Sequence, residues 1–186
     1  MADGWTKNIF LFLNHEISIE DFEKRVYRDT EKIASAFGED VLLSLVEFNY
    51  KCSGAAYDLE KLLKSTVSVE EYESWRVMRC LSNIIEGDPK ASESIVMTYD
   101  FYCGGYAFMR DIGLAYGLCL QVPTVFNKDS WADLSWDEKS SLTEMMYPGV
   151  KEEAQKIINW LTDGSITLHG KTDDGQYCYE DHRKRK

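Results

Sequence analysis

The sequence is short of residues that could carry out chemistry. Its 186 residues include only three histidines, His15, His169 and His182, which lie far apart along the chain. It has no glycine-rich phosphate loop, no paired-cysteine metal motif and no recognisable nucleophile motif. We therefore expect no catalytic residues, no cofactor and no metal, and a protein that is not an enzyme but works by binding.

Proline is also scarce, and the sequence contains only Pro89, Pro123 and Pro148. Because proline interrupts helices and central strands, this scarcity permits long helices and argues against an all-β sandwich. No apolar run approaches the roughly 20 residues that a membrane span needs. The N-terminus also lacks the basic and apolar regions of a signal peptide. We expect a soluble protein of the reducing cytoplasm.

The cysteines give no sign of disulfides or zinc. Their spacings are long and irregular, unlike those of a small secreted framework or a zinc site. We expect each to be a small buried apolar side chain. Cys103, beside Gly104, could be a nucleophile, but no histidine lies near it in sequence and burial is the favoured interpretation. The five positions are Cys52, Cys80, Cys103, Cys119 and Cys178.

Two histidines near the C-terminus have acidic neighbours that could be imagined as metal ligands. They belong to a segment with the signature of a hairpin, so a chance surface cluster is the favoured interpretation. The residues concerned are His169 and His182 with Asp173, Asp174 and Asp181.

Apolar residues recur three and four positions apart along most of the chain, which predicts amphipathic helices. Ser18, Ser68 and Ser135 each precede an acidic residue by three positions, a pattern typical of a helix start. The C-terminal end differs, because two short β-like runs flank an Asp-Gly pair that favours a hairpin.

These patterns predict a mainly α fold. We expect a single compact helical domain over residues 1–181, with a candidate seam near 66–70. A small β-hairpin is expected at about 165–180, and residues 182–186 form a basic tail. Helix should exceed about 45% of residues, an estimate from the periodic segments.

Acidic residues exceed basic ones by 32 to 21, which gives a formal net charge of −11. Such a field favours a basic partner. The segment from Asp129 to Glu144 combines acidic residues with tryptophans, which are favoured at interface hot spots. The alternative is that its carboxylates stabilise helix starts and its tryptophans are core. The residues expected to contact a partner are Asp129, Trp131, Asp133, Asp137 and Glu138, with Glu20 and Glu70 from two other acidic helix starts.

The segment 99–118 is rich in aromatic residues and glycine, with glycines at 104, 105, 113 and 117. Glycine loosens a helix, so the segment is either closely packed helix or an irregular connection. Its aromatic side chains could line a ligand pocket, and plain core packing is the favoured alternative.

One part of the chain resembles a known family. The run EISIEDFE at 16–23, TEKI at 30–33, FGED at 37–40 and Asn49-Tyr50 are similar to the N-terminal helical pattern of small bacterial immunity proteins. These accompany toxins of polymorphic or contact-dependent growth inhibition systems. The segment 99–118 and Trp160-Leu161 resemble the C-terminal half of some such proteins.

The resemblance implies an immunity protein that binds and neutralises a cognate toxin. Many such toxins are nucleases, whose basic clefts bind phosphate, and an acidic inhibitor could cover that cleft. The partner would then be a basic toxin domain, with no direct contact to nucleic acid or membrane. Two alternatives stay open: a small-molecule enzyme with a pocket around 99–118, and an acidic adaptor or regulator.

Overall fold

The structure is a computed structural model that describes residues 4–87, 90–172 and 174–183, apart from the side chain of Val125. It is 69% helical, with one two-stranded antiparallel sheet at the C-terminal end. The predicted mainly α fold with a small hairpin is confirmed. The chain forms two compact units that divide between Arg76 and Val77, whereas the sequence suggested one domain with a seam near 66–70. The two units are called the first and second unit below.

The first unit contains five helices and the start of a sixth. Two of the predicted serine caps lie here: Ser18 Oγ accepts the Asp21 N–H at 3.1 Å, and Ser68 Oγ accepts the Glu71 N–H at 3.3 Å. Its core is aromatic, with Trp5, Phe10 and Phe22 buried. The helices are α1 (Thr6–Leu13), α2 (Ile19–Arg28), α3 (Thr30–Phe37), α4 (Glu39–Val46), α5 (Ala55–Thr66) and α6 (Val69–Glu86).

The second unit contains the rest of α6, five further helices and the hairpin. A π-helical turn at Gly113–Gly117 joins two short helices, and 3₁₀ turns lie at Ala107–Met109, Thr124–Phe126 and Trp131–Asp133. The elements are α7 (Ala91–Cys103), α8 (Arg110–Ile112), α9 (Leu118–Gln121), α10 (Trp136–Met146), α11 (Gly149–Thr162), β1 (Ile166–Lys171) and β2 (Tyr177–Asp181).

The hairpin packs onto the glycine-rich segment through Tyr177. The Tyr177 ring stacks on the buried Tyr106 ring with centroids 4.4 Å apart, and the Tyr177 N–H donates to Gly104 O at 2.8 Å. A Cβ atom on Gly104 would lie 2.5 Å from the Tyr177 ring, so glycine is what lets the strand approach. This docking explains why a two-stranded sheet, marginal alone, is stable here.

In the structure, segment 99–118 is closely packed, which is one of the two alternatives that the sequence left open. Gly113 and Gly117 lie against α7, where added Cβ atoms would come within 3.0 and 2.8 Å of its atoms. The segment stays helical through both glycines. Its aromatic rings Phe101, Tyr106 and Phe108 are buried in the core of the second unit.

The expectation that every cysteine is buried was wrong. Cys80 alone among the five is buried, with its Sγ 3.1 Å from Ser94 O. Cys178 faces outward because alternate residues of a strand point to opposite faces, and Tyr177 and Tyr179 take the inner one. Cys103 is exposed where α7 ends.

The first two residues of the predicted basic tail, His182 and Arg183, contact other parts of the second unit. The His182 N–H donates to Ser165 O at 2.8 Å, and the Arg183 guanidinium lies 4.2 Å from the centroid of the Trp160 ring. Residues 184–186 lie outside the described residues.

Candidate functional site

The acidic segment before α10 is organised by local hydrogen bonds. Ser130 Oγ donates to Asp133 Oδ2 at 2.7 Å across a 3₁₀ turn. Ser135 and Glu138 then form a reciprocal capping box: Ser135 Oγ accepts the Glu138 N–H at 3.3 Å, and Glu138 Oε2 accepts the Ser135 N–H at 2.8 Å. The backbone bond from Ser135 holds the pKa of Glu138 below its usual value. Asp133 and Glu138 therefore have structural roles at the helix start.

The other acidic residues of α10 point to solvent. Seven residues make almost two helical turns, so Asp137 and Glu144 share one face of α10, and both are exposed. Trp136 directly precedes Asp137 and Met145 directly follows Glu144, so these two side chains lie on the two flanks of that face. Trp136 is 79% exposed and Met145 is 70% exposed. We call Trp136, Asp137, Glu144 and Met145 the acidic face.

The two tryptophans of this segment differ in burial. Trp131 is half-buried against the core of the second unit, and Lys139 Nζ lies 5.2 Å from its ring centroid. Trp136 is exposed because it is the first residue of α10 and lies away from the buried Leu142. The interpretation that both rings are core was wrong for Trp136, which is not among the residues expected to contact a partner. Asp129 is exposed in the loop before the 3₁₀ turn.

The remaining predicted contact residues belong to the first unit. Glu20 is exposed in the first turn of α2, and Glu70 is exposed in the first turn of α6. The predicted set is thus divided between the two units, with Asp129, Asp137 and their neighbours in the second.

Glu20 borders an open pocket of about 530 Å³ in the first unit. Three segments form it: the start of α2, the loop after α4 and the start of α5. The sequence pattern could have indicated one wall, because Glu20 and Glu23 are three residues apart on one helix. The loop after α4, which supplies other lining residues, carries no such signal. We call this cavity the Glu20 pocket. Its lining residues are Ile19, Glu20, Glu23, Tyr50, Lys51, Cys52, Gly54, Ala55 and Ala56.

The C-terminal histidines lie around one carboxylate. His169 Nε2 is 3.5 Å from Glu180 Oε1, and His182 Nε2 is 3.3 Å from Glu180 Oε2. Asp181 bonds instead to the Arg183 guanidinium, at 2.7 Å from Nη2, and Asp173 lies outside the described residues. In the part of the chain that the structure describes, no group of three or more His, Cys, Asp or Glu side chains is arranged to hold a metal ion.

No helix among the described residues is long and apolar enough to cross a membrane. Comparisons of the chain with protein-family models, with curated proteins and with solved structures gave no match.

Proposed function

We propose that this protein is an immunity protein that binds a cognate bacterial toxin, a nuclease, and covers its basic cleft. The observation that carries the proposal is the acidic face, where two exposed carboxylates lie between a tryptophan and a methionine that are largely in solvent. Aromatic residues and methionine are enriched at protein interfaces, and tryptophan is a frequent hot spot. The similarity of residues 16–50 to immunity proteins supports the same function.

The charge of the chain suits this role. A net charge of −11 attracts a basic partner over distance and accelerates encounter. At the contact, Asp137 and Glu144 would pair with lysine or arginine side chains that otherwise bind phosphate. Trp136 would supply the apolar anchor, because its ring loses the most exposed surface on binding. The proposed place of action is the cytoplasm, where the toxin would otherwise cleave nucleic acid.

The test uses the toxin domain encoded beside this gene. Association rates would be measured at two salt concentrations, with growth rescue in cells that express the toxin. We expect Asp137→Lys with Glu144→Lys to slow association and weaken rescue, and the effect to shrink in high salt, which screens charges beyond about 8–10 Å. Trp136→Ala should mainly accelerate dissociation.

The matched control is Glu93→Lys with Glu152→Lys. These two residues are exposed acids in the first turns of α7 and α11, so the control changes the net charge equally without touching the acidic face. If the control slows association as much as the acidic-face variant, net charge alone acts and the proposed interface is wrong. Failure of the unaltered protein to bind or neutralise the toxin would reject the immunity function itself.

A further inference from the structure

We propose that the Glu20 pocket binds an organic cation, a guanidinium or primary ammonium group, between the carboxylates of Glu20 and Glu23. The two residues are three positions apart on α2, so their side chains emerge on the same side of the helix, about 5–6 Å apart at Cβ. Both line the pocket. A planar guanidinium carries five N–H donors and can bond to two carboxylates at once.

Two neighbouring cations are bonded to other residues. Lys24, the basic residue closest in sequence, donates to Asp21 Oδ1 at 2.9 Å. Arg25 Nη1 donates to Asn8 Oδ1 at 2.6 Å. The Glu20 carboxylate accepts from its own backbone N–H and from the Ser18 hydroxyl, and its two oxygens have further lone pairs for a ligand. The pocket lining itself has two carboxylates against one ammonium, that of Lys51. Its charge therefore favours a cationic ligand.

The apolar part of the lining is held in place. The buried Tyr50 hydroxyl donates to Leu45 O at 2.8 Å, and its ring packs edge-on against Phe48 with centroids 5.0 Å apart. Ile19 and Ala55 complete this part of the lining. Apolar lining together with two carboxylates suits the alkyl stem of arginine or lysine, which buries its methylene groups while the charged end stays polar.

The rest of the lining favours a particular far end of the ligand. It contains Lys51 and the first two residues of α5, Ala55 and Ala56. The Lys51 ammonium attracts a carbonyl or carboxylate oxygen. The ligand class is thus an arginine-like or lysine-like group, either as a free amino acid or as a side chain within a peptide.

The test is titration of the full-length ¹⁵N-labelled protein with two probes, free L-arginine and the blocked peptide acetyl-Gly-Arg-Gly-amide. We expect saturable shifts of the backbone amide signals of Lys51, Cys52, Gly54, Ala55 and Ala56. A peptide with norleucine in place of arginine keeps the alkyl stem without the charge and should give no saturable shift. Saturation by both probes supports the guanidinium as the recognised group. Saturation by arginine alone supports a free amino acid as the ligand. Saturation by the peptide alone supports a protein side chain.

Variants locate the binding. Glu20→Gln with Glu23→Gln keeps the shape of both side chains and should weaken binding at least about tenfold. Glu39→Gln with Asp40→Asn changes two exposed acids at the start of α4 and should leave binding unchanged. Linear shifts without saturation, or equal binding by the Glu20 and Glu23 variant, would overturn the inference. Since no toxin is present, the result is independent of the proposed immunity function.

Discussion

Gly117 lies directly against the backbone of Tyr99, and a Cβ atom at position 117 would be 2.8 Å from the Tyr99 amide nitrogen. The same atom would be 2.9 Å from Ile95 O. Because both neighbours are backbone atoms of α7, they can move away only if the helix shifts. We expect Gly117→Ala to lower the free energy of unfolding by about 1–3 kcal/mol, the usual cost of overpacking, despite the higher helix propensity of alanine. Urea unfolding followed by circular dichroism measures the loss.

Gly149→Ala is the matched control for this prediction. Gly149 is the first residue of α11, and its added Cβ would meet the hydroxyl of Tyr116, the end of a side chain that can rotate. We expect a smaller loss of stability than for Gly117→Ala. Equal stability of the Gly117 variant and the wild-type protein would show that α7 can shift at no cost.

The helix starts could be predicted from the sequence, because the residues that determine them lie within a few positions of each other. Ser18, Ser68 and Ser135 each lie at a helix start because a serine side chain can bond to an N–H three residues on. The course of the segment around Gly117 could not be decided in the same way. Whether a glycine permits close packing or breaks a helix depends on what lies opposite it. Opposite Gly117 is α7, a different segment of the chain, and no local turn or cap signal reveals it.

Removing the hydroxyl of Ser135 should destabilise the start of α10. Ser135 Oγ satisfies the Glu138 N–H, and loss of a serine cap costs typically about 1 kcal/mol. We expect Ser135→Ala to reduce stability by that amount, as measured by chemical unfolding. Ser141→Ala, on the exposed side of the same helix, should cost nothing measurable because alanine favours helix. A loss as large at Ser141 would show that removing a serine hydroxyl elsewhere on α10 has the same effect, and the cap would then not be its cause.

Tryptophan substitutions should separate core from surface. Trp5 is 2% exposed and packs edge-on against Phe22 with ring centroids 5.3 Å apart, so Trp5→Ala should cost about 3–5 kcal/mol. Trp136 is 79% exposed, so Trp136→Ala should change stability by less than about 0.5 kcal/mol. Thermal unfolding of both variants tests this. A large loss at Trp136 would mean that the ring is packed and unavailable to a partner.

The residues of the acidic face were only partly accessible from the sequence. Asp137 was identified because it lies in an acid-rich segment with two tryptophans. The exposure of Trp136 depends on the rotation of α10, and that is fixed by burial of Leu142 against the core. For Glu138 the sequence indicates both a helix start after Ser135 and a partner contact, and in the structure its carboxylate accepts the Ser135 N–H. The composition of the sequence therefore indicated the acid-rich segment, and the packing of α10 determines which of its side chains face solvent.

Asp29 should make stability depend on pH in the acid range. Its carboxylate accepts from Arg28 Nη2 at 2.7 Å and from Lys32 Nζ at 2.9 Å, and its side chain is 9% exposed. These bonds, first that of Arg28 and then that of Lys32, lower the pKa of Asp29 from 3.8 to about 2. The folded state thus binds this proton more weakly than the unfolded state does. The stabilisation is complete above pH 3.8 and is lost as the pH falls towards 2.

The measurement compares melting temperatures of the wild-type protein and Asp29→Asn from pH 7 down to pH 2. We expect the variant to melt lower at pH 7 because its amide forms no ion pair with Arg28 or Lys32. The difference in melting temperature between the variant and the wild-type protein should narrow below about pH 4, since the wild-type carboxylate then takes up its proton in the unfolded state. Asp40→Asn removes the same charge from an exposed helix start. A gap for Asp29→Asn that stays constant down to pH 2, or that Asp40→Asn reproduces, would show that the two ion pairs at Asp29 do not stabilise the junction of α2 and α3.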